Sequence, residues 1–310
     1  MPESTGRAGR LTGRRRGRVA AVTAAALSLA VLAGCTSGGD DGPKSAPGSG
    51  RQSAGAAAPA SAWNREPASV AAVGDSMTRG FDACSVLADC PEVSWATGTD
   101  ASVDSLALRL LGPAHIRTHS WNHAVSGARI AQLPEQMAAA AKDRPGLVTV
   151  MIGANDACRA SVDVMTPVED FRASFEASMR ALRSAAPKTQ VYVASVPDLH
   201  RLWSTGRQHD LVKKIWALGI CTSMLGDADD LGEAATARRS AVRDRVMAYN
   251  QVLREVCAKD ELCRHDGGAV FDYPFTGAQL STWDWFHPGR AGQARLAEIA
   301  YRAVTARDPA

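Results

Sequence analysis

An α/β fold, with a mainly parallel central sheet sandwiched between two layers of helices, follows from three features of this sequence. Short apolar runs of strand length alternate with longer amphipathic stretches of helical period. No internal repeat is visible, which argues against a solenoid or propeller. Hydrophobic residues make up 45% of the chain, enough for a sizeable buried core. Strands that alternate with helices cannot pair as tight hairpins, so they line up in parallel with helices on both faces.

Taken in order, the strand candidates are 69–73, 116–121, 147–152, 190–196 and 269–273. The clearest helical patterns lie at 130–142, 167–185, 235–258 and 290–306. Together they predict one three-layer α/β/α domain over 68–306. The stretch 198–234 mixes charges with a glycine-containing acidic segment and reads as a lid-like insertion near the substrate face.

The amino-terminal segment has a different character. Residues 1–34 carry Arg7, Arg10, Arg14, Arg15, Arg16 and Arg18 against the single acid Glu3, although the whole chain has a formal charge of only +3. The rest of the chain therefore sits at about −2, and nucleic-acid binding loses its electrostatic basis. Arginines, the 16-residue uncharged run 19–34, and small residues before Cys35 form the three parts of an export signal. That run is short of the roughly 20 residues a spanning helix needs. Leu32-Ala33-Gly34-Cys35 resembles a bacterial lipobox, which implies cleavage before Cys35 and a diacylglycerol on its sulfur. An ordinary signal peptide with an incidental cysteine is the alternative, and the paired arginines leave the twin-arginine route open. Residues 35–67 are rich in Gly, Ser, Ala and Pro and read as a disordered tether, because they cannot bury enough apolar surface to order themselves.

Setting Cys35 aside leaves Cys84, Cys90, Cys158, Cys221, Cys257 and Cys263, an even number suited to disulfides in an exported chain. Fifteen pairings are possible in principle. Two close pairs stand out, Cys84 with Cys90 and Cys257 with Cys263, which leaves Cys158 for Cys221. A metal site is the rival reading, but no CxxC spacing is present.

Ligands of open parallel sheets bind at the carboxyl ends of strands, where turns aim backbone amides at the bound group. Four such ends carry reactive residue types. Ser76, in Gly74-Asp75-Ser76-Met77, lies at a strand-to-helix turn, where a serine also serves as an N-cap. Gly127, in Asn122-His123-Ala124-Val125-Ser126-Gly127, lets backbone approach a substrate, or is simply a loop glycine. Asn155, in Gly153-Ala154-Asn155-Asp156, can donate to a developing oxyanion or make a turn. Asp284 and His287, in Trp283-Asp284-Trp285-Phe286-His287-Pro288-Gly289, fall on one loop before a helix that Pro288 would start. That spacing lets the carboxylate hold the imidazole.

These blocks resemble the SGNH, or GDSL-like, hydrolase family, of the secreted bacterial lipase and esterase type. Gly74-Asp75-Ser76-Met77 matches its first block, with methionine where leucine is usual. Gly127 matches the second, Gly153-Ala154-Asn155-Asp156 the third, and Asp284-Trp285-Phe286-His287-Pro288 the fifth; 91–98 is a weaker match. The resemblance implies a flavodoxin-like fold and a catalytic set of Ser76 as nucleophile, His287 as base and Asp284 orienting the base. It also places the Ser76 and Gly127 amides and the Asn155 side chain in an oxyanion hole. No cofactor or metal is implied.

Other residues invite functional readings that the sequence favours less. His115, His119 and His123 recur every fourth residue, but on a strand ligands four apart are separated by roughly 13 Å, too far to share an ion. Trp95, Trp283, Trp285 and Phe286 are candidates for a pocket, with at least two expected in the core. Asp156 is expected to be a turn or supporting group, and 235–258 an amphipathic helix with one solvated face.

The expected activity is that of an extracytoplasmic, lipid-anchored serine esterase, acting on short or medium acyl esters or acetylated glycans. Lipase or phospholipase activity is the alternative within the same chemistry. A non-catalytic envelope lipoprotein on a hydrolase fold is the alternative outside it. The expected partners are the ester substrate and, through Cys35, the outer face of the cytoplasmic membrane; a monomer is expected, and a secreted protein without the anchor is the alternative location.

Overall fold

The computed structural model describes residues 63–307. The export segment expected at 1–34, the lipidation expected on Cys35 and the tether expected from 35 to 67, as far as residue 62, lie outside the described residues. Residues 63–67 are packed on the domain: Trp63 is buried, and its indole Nε1 donates to the Val304 carbonyl at 2.8 Å. The ordered edge therefore precedes the boundary that composition suggests, because one large aromatic is enough to anchor an otherwise polar segment.

Five strands form the sheet: β1 (Val70–Gly74), β2 (Ser120–Asn122), β3 (Leu147–Met151), β4 (Gln190–Val193) and β5 (Cys263–His265). All neighbours pair in parallel, in the order β2-β1-β3-β4-β5. This is the flavodoxin-like order, whose switch point lies between β1 and β3. Strands β1, β3 and β4 are buried along their whole length, which is why they read as continuous apolar runs without alternation. Each buried valine there contributes about 1.5–3 kcal/mol relative to exposure.

Helices Leu133–Lys142, Val168–Ala185 and Glu233–Cys257 pack side by side against the sheet, and Arg290–Thr305 packs with Leu106–Leu111 and β5. These are the two outer layers. The helix Val168–Ala185 buries Phe171, Phe175, Met179 and Leu182 at helical spacing, the stripe its sequence predicts. Glu233–Cys257 buries one stripe from Ala235 to Cys257 and leaves the opposite face to solvent.

Two strand assignments need correction. Residues 116–121 divide into a helical turn, Ile116–His119, and β2. Val70, the first residue of β1, pairs with Ser120, so residues 116–119 have no ladder partner. They close a turn instead, with the Thr118 and His119 amides donating to the His115 carbonyl. The last strand is Cys263–His265, and 269–272 is a helical turn. Gly267 and Gly268 take positive φ and end the extended chain. The Asp266 carboxylate then accepts from the Gly268 and Val270 amides. β5 escaped notice because it is polar: Arg264 lies buried and donates to the Ala306 carbonyl at 2.7 Å.

Residues 198–234 form the helices Leu199–Gly206, Asp210–Trp216 and Thr222–Leu225. Trp216, Met224 and Leu225 of this segment belong to the main core. All three disulfides, Cys84–Cys90, Cys158–Cys221 and Cys257–Cys263, are present, and Cys158–Cys221 ties this segment to the turn after β3. No helix among the described residues is long and apolar enough to cross a membrane.

Candidate active site

The carboxyl ends of β1 and β3, on either side of the switch point, carry Ser76 and Asn155. β1 stops at Gly74, where φ is +143° and a Cβ would lie 2.1 Å from the Met151 carbonyl oxygen; only glycine fits there. The Gln136 side chain grips this residue twice, accepting from its amide at 2.7 Å and donating to its carbonyl at 3.0 Å. Asp75 then caps the short helix Ser76–Arg79, its Oδ1 accepting from the Met77 amide at 3.0 Å. Gln293 holds the far side of that turn by donating to the Met77 carbonyl. Ser76 is thus presented on a turn fixed from three directions.

The loop 280–288 brings His287 to Ser76. Leu280 and Pro288 form an antiparallel bridge, and the Ser281 amide donates to the His287 carbonyl at 2.7 Å. Inside this loop Trp285 adopts φ +52°, an unfavourable region for a bulky residue. Its ring packs tightly over Gly277, where a Cβ would meet it at 2.6 Å, and lies 4.6 Å from the His209 ring. The turn lets Asp284 Oδ1 accept from the Phe286 and His287 amides at 2.9 and 3.0 Å.

The structure brings Ser76, His287 and Asp284 together. Asp284 Oδ2 lies 2.5 Å from His287 Nδ1, and His287 Nε2 lies 2.9 Å from Ser76 Oγ. With a carboxylate accepting at Nδ1, the neutral imidazole carries its proton there and presents Nε2 as an acceptor for the serine hydroxyl. Phe81 and Phe286 each lie 5.0 Å from the imidazole, centroid to centroid. Burial pushes the Asp284 carboxyl up, but the hydrogen bond and charge of His287 and the two backbone amides outweigh it and hold the acid below its ordinary range.

These residues open into a cleft of about 380 Å³ that also includes Gly127, Asn155, Leu87 and Ile220. Gly127 has φ +80° with open space where a Cβ would be. Asn155 donates through Nδ2 to the Ala128 carbonyl at 3.0 Å, which holds the amide in the cleft and leaves its second N–H available. Ser76, Gly127 and Asn155 therefore all line this cleft, on the segments that follow β1, β2 and β3.

Asp156 points elsewhere: it is buried and accepts from the Ile130 amide and the Thr166 hydroxyl, fastening the turn after β3. Trp95 is in the core, Phe286 lines the cleft, Trp285 wedges the loop and Trp283 is half-exposed. His115 and His119 sit on a helical turn with rings 5.8 Å apart, so the strand-spacing argument fails for that pair. His123 turns away to Asp143, 2.6 Å from Nε2.

Asp82 is the site residue that sequence reading missed. It is buried, takes φ +56°, and lies with Asp284 and His287 in a group whose side-chain ligand atoms are all within 4.8 Å. The 2.5 Å contact between His287 and Asp284 leaves no room for an ion between them. Among the described residues the other such group is Cys84, Cys90 and Glu92, whose sulfurs are joined in a disulfide.

Residues 70–300 match the family model of the GDSL-like Lipase/Acylhydrolase family. The chain belongs to this family. Among solved structures, it is similar to phospholipase A1 from Streptomyces albidoflavus NA297, at 19% identity over 77% of this chain and 100% of that one, with a TM-score of 0.46. An extracellular lipase from Streptomyces rimosus matches at 17% identity over 75% and 99%, TM-score 0.41. A family 3 carbohydrate esterase from Clostridium thermocellum matches at 15% over 76% and 93%, TM-score 0.43. No curated protein matches the sequence.

Proposed function

We propose that this GDSL-family protein is an extracytoplasmic serine esterase that forms an acyl-enzyme on Ser76. The observation that carries the proposal is the continuous chain of contacts from Ser76 Oγ to His287 and from His287 to Asp284, at 2.9 and 2.5 Å. His287 Nε2 takes the hydroxyl proton as Oγ attacks the ester carbonyl, because a serine hydroxyl at neutral pH is otherwise a poor nucleophile. Asp284 fixes the Nδ1–H tautomer and stabilises the imidazolium. The Ser76 and Gly127 amides and the Asn155 side chain receive the charge that grows on the carbonyl oxygen. The tetrahedral adduct collapses, the imidazolium gives its proton to the departing alcohol, and water repeats the sequence to release the acid.

Outside the described residues, the export signal and lipobox-like Leu32-Ala33-Gly34-Cys35 support a lipid-anchored protein on the outer face of the membrane. The three disulfides fit that compartment. Short or medium acyl esters, or acetyl groups on glycans, are the substrates we assign to it. Lipid esters are the second reading, favoured by exposed apolar side chains: Leu87, at 79% exposure, lines the cleft, and Val125 and Trp283 adjoin cleft residues in sequence.

Hydrolysis of p-nitrophenyl esters of increasing chain length, by wild type and Ser76→Ala, tests both levels. The esterase reading expects a maximum at short to medium chains and no turnover by Ser76→Ala. A maximum at long chains favours the lipid reading, and undiminished turnover by Ser76→Ala overturns the mechanism.

A further inference from the structure

The buried Asp82 and Asp284 carboxyls lie together beside His287, with side-chain atoms within 4.8 Å of one another. Two carboxylates this close in a buried site repel each other when both are charged, which favours a proton on one of them. Counting donors decides which. Asp284 already receives three: the amides of Phe286 and His287 and the imidazole Nδ1–H. Asp82 receives one, from the Leu87 amide. Each donor stabilises the charged form, so Asp284 is the carboxylate and Asp82 the acid.

We infer that Asp82 is a positioning residue of the catalytic relay, its carboxylic acid donating to Asp284 and holding that carboxylate against His287. This rests on the proposed role of the Ser76, His287 and Asp284 set.

The surrounding chain is built to keep Asp82 in place. It sits in the left-handed region, which Asp tolerates better than most residues. Its amide donates to the Ala88 carbonyl at 3.0 Å, its carbonyl accepts from Ser281 Oγ at 2.7 Å, and the Cys84–Cys90 disulfide closes the loop behind it. The Ser281 contact fastens this loop to the one that carries Asp284 and His287. Among the described residues, Asp284 and His287 are the titratable groups that face Asp82. Burial and the Asp284 charge both push its carboxyl up, in agreement with the donor count.

The test compares Asp82→Asn, which keeps an N–H donor of the same shape and tolerates the left-handed region, with Asp82→Ala, which keeps neither. With p-nitrophenyl acetate as probe, Asp82→Ala loses about tenfold in kcat at unchanged KM, the effect of one buried hydrogen bond in a network. Asp82→Asn retains kcat within about twofold and lacks the alkaline ionisation that wild type shows when Asp82 gives up its proton. Equal impairment of both variants with pH profiles parallel to wild type makes the residue merely structural and overturns the inference, as does full activity in Asp82→Ala.

A second measurement needs no turnover. In the Ser76→Ala background, the downfield proton resonance of His287 Nδ1–H moves upfield in Asp82→Ala and stays in Asp82→Asn; no movement in either overturns the inference. Turnover that survives in Ser76→Ala would sink the serine mechanism instead, and would be seen separately.

Discussion

Asp75 is fully buried next to Ser76, and its Oδ2 has no hydrogen-bond partner among the described residues. Burial pushes its carboxyl from 3.8 up to about 7, against the opposing pull of the Met77 amide and the His287 charge. The native chain therefore holds this proton over a range in which the unfolded chain has lost it. Because the native state binds the extra proton, the contribution to stability is whole below the unfolded value and is lost as pH rises through about 7. At ~1.4 kcal/mol per decade, the loss between about pH 5 and about pH 8 is roughly 3 kcal/mol, since the slope dies away once the native carboxyl ionises above about 7. Asp75→Asn keeps the Oδ1 acceptor for the Met77 amide and cannot ionise. Urea unfolding of both proteins at the two pH values, followed by circular dichroism with the disulfides intact, isolates the effect. The variant should gain about 3 kcal/mol on wild type between the acidic and the alkaline measurement, whatever its fixed cost. Parallel behaviour of the two proteins would show that Asp75 ionises without penalty and refute the reasoning.

Further outcomes follow from other contacts. Asn155→Ala removes a proposed oxyanion donor and should lower kcat about a hundredfold or more while leaving KM and the melting temperature nearly unchanged; a change confined to KM would mean that the side chain binds substrate rather than charge. Replacing Cys158 and Cys221 by serine opens a loop with a separation of 63 residues and should cost about 4 kcal/mol, against about 2 for Cys257 and Cys263 on loop entropy alone. Urea midpoints of the two double variants measure the difference, and a reversed order would contradict the loop-length argument.

The strands that carry Ser76 and Asn155 were legible because both are buried on two faces and read as unbroken apolar runs. β5 was hidden because Cys263, Arg264 and His265 look like surface, and the buried guanidinium of Arg264 finds its partners in the carboxyl-terminal carbonyls of Ala303 and Ala306, more than thirty positions away. The segment 116–119 looked extended because Ile and Thr favour strands, yet the register of β1 leaves it nothing to pair with. Local spacing was informative for Asp284 and His287, since three residues suffice for a carboxylate to cap the turn and reach the ring. Asp82 gave no such signal: its role depends on a left-handed backbone, a small disulfide loop and a contact across two hundred positions. The grip of Gln136 on Gly74 and of Gln293 on Met77 is equally invisible locally, because an amide side chain has the same letter whether it faces water or a strand end.

The central claim is that the hydroxyl of Ser76 is the nucleophile and His287 the group that activates it. Incubation with a fluorophosphonate, followed by peptide mass mapping, tests it most directly. The account predicts a single phosphonyl adduct on the peptide containing Ser76, formed at least a hundredfold more slowly in His287→Ala. An adduct on another residue, or labelling of Ser76 at the same rate without the imidazole, would contradict it.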